Sequence, residues 1–144
     1  MRPVIEVLSI EDNPADIGLL NEWFTEHLPN CSLISVRDGL EALDYLYRRN
    51  QFGQVNTPDL ILLDLNIPKI DGRDLIREIK STPDLSQIPV LVLSTSNSAR
   101  DVADAYDLGA NAFISKPLDL DDLDAMLTSL GDFWFTTARL PRRR

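Results

Sequence analysis

One cysteine and one histidine in 144 residues leave little room for thiol or imidazole chemistry. Cys31 has no partner for an internal disulfide, and neither it nor His27 has a second ligand at zinc spacing, so both read as structural. Basic charge is scarce too: 14 lysines and arginines against 23 aspartates and glutamates give a formal net charge of −9. Phosphate backbones bind basic faces, which excludes nucleic acid as the main partner; the Arg142-Arg143-Arg144 ending reads as a solvated tail. No apolar run approaches a membrane span, and Met1-Arg2-Pro3 leads into a strand without the apolar region of a secretory signal. The expected setting is therefore the cytoplasm, with no membrane partner.

What is present is ordinary globular composition, 44% hydrophobic and 26% charged, at a length that fits one domain. Short apolar runs alternate strictly with longer amphipathic ones, with no repeat, low-complexity segment or linker. The strand candidates are Val4–Ile10, Ser32–Val36, Leu60–Leu63, Pro89–Ser94 and Ala112–Ser115. The helix candidates are Pro14–Leu28, Gly39–Arg49, Asp71–Lys80, Ala99–Leu108 and Leu120–Phe135. Such alternation defines an α/β fold, a doubly wound five-stranded parallel sheet with right-handed crossovers. Asn13-Pro14 opens the first helix with a capping side chain and a proline that needs no N–H there, while Thr82-Pro83 and Gly109 close later ones. The connection 50–58 is the one irregular stretch that looks inserted.

Charge at the strand ends carries the chemistry. Asp64 terminates a buried apolar run, Glu11-Asp12 follows the first strand, and Lys116-Pro117 follows the last. In an open α/β sheet the carboxyl ends of the strands form the ligand crevice, so three acids and a lysine converge there. Hard carboxylate oxygens from two strands suit Mg²⁺, and without a cation they repel one another. Ser94 adds a hydroxyl able to bond a phosphoryl oxygen. The set fits phosphoryl transfer, in which cations neutralise charge while a carboxylate attacks in line. Each element alone is equally at home as a cap or turn; the combination at four strand ends, in this order, is not.

These residues resemble the receiver domains of bacterial two-component response regulators over essentially the whole chain. The resemblance is carried by Glu11-Asp12, by Leu63-Asp64-Leu65-Asn66-Ile67-Pro68 with Asp71-Gly72, by Leu93-Ser94-Thr95, by Gly109-Ala110 with Phe113, and by Lys116-Pro117. It implies a flavodoxin-like sheet of strand order 2-1-3-4-5. It makes Asp64 the phosphoacceptor and places Mg²⁺ on Glu11, Asp12, Asp64 and the Asn66 carbonyl. Ser94, Thr95, Phe113 and Lys116 become the phosphoryl-binding and switch residues, Asn66 and Ser96 tune dephosphorylation, and the bond before Pro117 is expected to be cis. The insertion at Phe52-Gly53, the segment 66–73 and the tail Phe133-Trp134-Phe135 with Leu140-Pro141 are similar to the single-domain regulators paired with phytochromes. That similarity implies a phytochrome histidine kinase as phosphodonor.

The expected protein is a single receiver over residues 1–144, with an extended C-terminal helix and tail from about residue 119. It signals by phosphorylation-dependent protein contacts and is not a conventional enzyme, though it catalyses its own phosphorylation and dephosphorylation. The alternatives are a relay intermediate that passes its phosphoryl group to a histidine phosphotransfer protein, an aspartyl-phosphate phosphatase, and a docking module with a vestigial site. The phosphatase pattern needs a second acid two residues after the nucleophile, where this chain has Asn66. In the tail, Leu120, Leu123, Leu127, Leu130 and Trp134 recur at helical spacing and are expected on the sheet. Met126, Phe133 and Phe135 fall off that face and are expected at a homodimer interface.

Overall fold

The computed structural model describes residues 4–141. The elements in chain order are β1 (Ile5–Ile10), α1 (Pro14–His27), β2 (Cys31–Val36), α2 (Gly39–Leu46), β3 (Leu60–Leu63), α3 (Gly72–Ser81), β4 (Val90–Ser94), α4 (Ala99–Asp107), β5 (Ala112–Ser115) and α5 (Leu120–Gly131). All strand pairs are parallel, in the order β2-β1-β3-β4-β5. Chain order reverses between β1 and β3, so a crevice opens where their carboxyl ends diverge.

Side chains alternate across each strand and feed two cores. Leu8, Ile10, Ile61, Leu63, Val90 and Val92 pack with Tyr45 and Leu46 of α2 and with Leu75, Ile76 and Ile79 of α3. Val7, Leu60, Leu62, Leu91 and Leu93 pack on the opposite face with Leu20, Trp23 and Phe24 of α1 and with Leu127 and Leu130 of α5. Every residue of β3 and β4 is buried, which is why these strands read as unbroken apolar runs. Asn13, Asp38, Asp71, Ser98 and Asp119 cap the five helices, each accepting from a first-turn N–H. The helices therefore begin at fixed points just beyond the crevice.

Several boundaries and placements differ from the sequence expectation. α2 stops at Leu46 rather than Arg49, because Arg48 and Asn50 both take φ of 55°. The inserted connection is docked rather than free, with Phe52 against Tyr45 at 5.1 Å between ring centroids. α5 does not run unbroken to Phe135: it ends at Gly131 and widens into a π-helical turn over Asp132–Thr137. That widening shifts the helical phase, so Phe135 turns inward and meets Phe24 edge-on at 6.0 Å. Phe135 therefore packs on its own domain, and Met126, within regular α5, does so as well; both are half-buried there, while Phe133 remains 52% exposed. Leu120, expected on the sheet, is 64% exposed in the first turn of α5 beside the exposed Leu118. The Arg142-Arg143-Arg144 tail lies outside the described residues.

Candidate phosphorylation site

Glu11 is buried at the mouth of the crevice, its N–H donating to the Val36 carbonyl at 3.0 Å and its Oε2 accepting from Asn13 N–H at 3.2 Å. Asn13 also receives the first-turn N–H groups of Ala15 and Asp16. One tight turn thus directs Glu11 inward and leaves Asp12 facing solvent. Asp64 continues the sheet through its N–H to the Ile10 carbonyl at 3.0 Å, and its Oδ1 accepts the Asn66 N–H at 3.0 Å. One carboxylate oxygen from each of Glu11, Asp12 and Asp64 falls within 4.8 Å of the others.

Lys116 enters from β5, where its N–H donates to the Ser94 carbonyl at 2.7 Å. Its side chain is 10% exposed, and the ammonium pairs with Glu11, with Asp16 at 3.0 Å and with Asp64 at 3.5 Å. Burial pushes the Glu11 carboxyl above the usual carboxylate range, against the pull of Lys116, and the Asp64 charge adds to the push. Burial works against the Lys116 charge as well, but Glu11, Asp64 and Asp16 outweigh it and hold the amine above its ordinary value. The lysine therefore stays cationic across the neutral range. It neutralises only part of the charge of three clustered acids, and hard oxygens at this spacing fit a small divalent cation.

Behind this cluster Ser94 is fully buried, and its Oγ accepts the Ser96 N–H at 3.1 Å. Thr95 is exposed beside it. Phe113 is half-buried against the α2–α3 core, and its N–H donates to the Tyr106 phenol oxygen at 3.1 Å. All peptide bonds among the described residues are trans, so the expected cis bond before Pro117 is not found. Trans remains the favoured isomer at X–Pro by about 0.5–1 kcal/mol.

Three residues of the site escaped the sequence reading. Asp16 has the acidity and position of an ordinary first-turn residue, and only the fold reveals that it reaches Lys116. Arg73 and Asp101, on α3 and α4, form an ion pair beside Ser96, whose Oγ donates to Asp101 at 2.5 Å. Nothing in the spacing of residues 73, 96 and 101 marks them as neighbours.

A flavodoxin-like sheet whose switch-point crevice carries an acid triad and a lysine defines a class, and the chain belongs to it: the response regulator receiver domain family matches residues 7–128. Among its relatives is the response regulator Rcp1 of Synechocystis sp., 42% identical over 140 residues, covering 97% of this chain and 95% of that one. The phosphorylated cyanobacterial phytochrome response regulator RcpA superposes with a TM-score of 0.91 at 43% identity, covering 96% and 99% of the two chains. The Mn²⁺-bound form of Rcp1 gives the same TM-score at 40% identity, over 96% and 99%.

Proposed function

We propose that the chain is a single-domain receiver, spanning residues 1–144, that accepts a phosphoryl group on Asp64 from a phytochrome histidine kinase in a Mg²⁺-dependent reaction. The observation that carries this reading is the clustering of the Asp64 carboxylate within 4.8 Å of the Glu11-Asp12 oxygens and 3.5 Å from the Lys116 ammonium. Similarity over nearly full length to cyanobacterial regulators, one of them described as a phytochrome response regulator, supports the kinase assignment.

In the proposed step an Asp64 oxygen attacks phosphorus in line. The P–N bond of the kinase phosphohistidine breaks, and its electron pair returns to the imidazole. A bound Mg²⁺, held by Glu11, Asp12, Asp64 and the Asn66 carbonyl, supplies charge neutralisation for the phosphoryl oxygens. Lys116 leaves its carboxylate partners to meet the phosphoryl group from the other side. Ser94 gives up the Ser96 N–H to donate its hydroxyl, with Thr95 alongside, and Phe113 fills the space vacated. Hydrolysis of the acyl phosphate, tuned by Asn66 and Ser96, resets the molecule.

The proposed setting is the cytoplasm: no helix among the described residues is long and apolar enough to cross a membrane, and the acidic chain disfavours nucleic acid. Phe133, exposed and edge-on to Trp134 at 5.3 Å, is the proposed centre of a two-fold homodimer contact. The test is transfer from a purified phytochrome kinase under red and far-red light. Light-dependent labelling supports the reading, and no transfer from any phytochrome kinase tried overturns the pairing. Rapid, complete return of the label to a histidine phosphotransfer protein would favour the relay alternative.

A further inference from the structure

The loop between β4 and α4 is tied to α3 by a relay outside the acid cluster. Arg73 lies in the first turn of α3, just after Gly72, which packs so tightly under the β3–α3 loop that a Cβ there would sit 2.7 Å from Leu65. Its guanidinium pairs with Asp101 of α4, and more loosely with Asp71 and Asp104, each at 3.6 Å. The Asp101 carboxylate, bonded by the Ser96 hydroxyl and by Arg73, is held below its ordinary range. The Ser96 Oγ donates to Asp101 at 2.5 Å and accepts from the Ser98 N–H at 3.2 Å. Its one proton is therefore committed toward α4. Ser96 also donates its N–H to the buried Ser94 Oγ, so the relay ends one residue contact from the phosphoacceptor crevice.

We propose that Arg73 and Asp101 are positioning residues for hydrolysis of the Asp64 acyl phosphate. They hold the Ser96 hydroxyl turned away from the crevice, and so prolong the phosphorylated state. This rests on Asp64 being the phosphoacceptor. In the hydrolytic step a water oxygen attacks phosphorus, the bond from phosphorus to the Asp64 oxygen breaks, its electron pair returns to the carboxylate, and the water proton leaves to solvent with inorganic phosphate formed. A hydroxyl free to bond that water orients it. A hydroxyl anchored on the α4 side, donating to Asp101 and accepting from the Ser98 N–H, is held out of reach of it.

The full-length chain is phosphorylated with acetyl phosphate, the donor is removed, and the first-order loss of label is followed; that rate constant does not depend on the extent of loading. Asp101→Ala is expected to speed the loss by about fivefold, the effect of gaining about one net hydrogen bond in the transition state. In the Ser96→Ala background the same substitution is expected to change nothing, and Ser96→Thr is expected to restore the sensitivity. Arg73→Gln, which frees Asp101 without altering α4, is expected to act in the same direction. Equal acceleration with and without the Ser96 hydroxyl, or unchanged decay in both Asp101→Ala and Arg73→Gln, overturns the proposal. A wild-type chain that takes no label at all overturns the phosphoacceptor assignment instead, and the inference with it.

Discussion

Replacing Lys116 with methionine isolates the electrostatics of the site from its chemistry. The ammonium is nearly buried, and its partner Glu11 is more so, at 3% exposure. Removing one member of a buried ion pair costs about 3–5 kcal/mol, because the other charge stays buried and uncompensated. Asp16 and Asp64 keep partial access to water, which points to the lower end, about 3 kcal/mol. For a chain of this length that is a fall in Tm of about 10 °C. The assay is urea unfolding in chelator at neutral pH, followed by fluorescence of Trp23 and Trp134. The sign of the pH effect follows from Glu11, whose carboxyl is already raised by burial and rises further without the ammonium. A carboxyl with a raised folded-state pKa contributes stability that is complete below the ordinary carboxylate range and lost as pH climbs through the raised value. The variant's deficit is therefore expected to shrink as pH falls from about 7 to about 5. Divalent cation is expected to recover part of it, about 1.4 kcal/mol at tenfold the dissociation constant. A methionine variant as stable as the wild type in chelator at neutral pH would refute the reasoning.

Other outcomes follow from the same geometry. Mg²⁺ is expected to raise the wild-type Tm, by about 2.7 kcal/mol of added stability at 100-fold its dissociation constant, and Asp12→Ala to abolish that dependence in the same melting experiment. Gly72→Ala is expected to lose about 1–3 kcal/mol in urea titration, since its Cβ meets the Leu65 backbone rather than a side chain that can swing aside. Tyr47, whose phenol donates to Glu78 at 2.6 Å, titrates above an ordinary tyrosine chiefly because of that bond; Glu78→Gln is expected to lower its value in a spectrophotometric titration. Phe133→Glu is expected to leave a folded monomer by light scattering, whereas Phe135→Glu is expected to destabilise the domain itself, because its ring packs on Phe24.

The sheet and the crevice were legible because each depends on local signals. β3 and β4 are apolar throughout because both their faces are covered, and Asp64, Glu11 and Lys116 stand out as charges at the ends of such runs. The Asn13 cap of α1 is likewise read from a single residue. What the sequence could not carry was phase and partnership. Helical spacing placed Phe135 off the core only on the assumption of an unbroken α-helix, and the π-helical turn after Gly131 rotates it onto Phe24. The same periodicity put Leu120 on the sheet, though α5 begins with that residue exposed. Asp16 and the Arg73–Asp101–Ser96 relay join residues from separate elements, and no spacing rule connects positions 73, 96 and 101.

The residue on which a phosphoryl group lands is the decisive property of this chain. The direct measurement is to incubate the wild-type chain and Asp64→Asn with acetyl phosphate and Mg²⁺ and to map the modified residue by mass spectrometry after trapping. One phosphoryl group on Asp64, labile to hydroxylamine and absent from Asp64→Asn, is the result expected. An acid-stable modification on a hydroxyl residue, or equal labelling of Asp64→Asn, would contradict it.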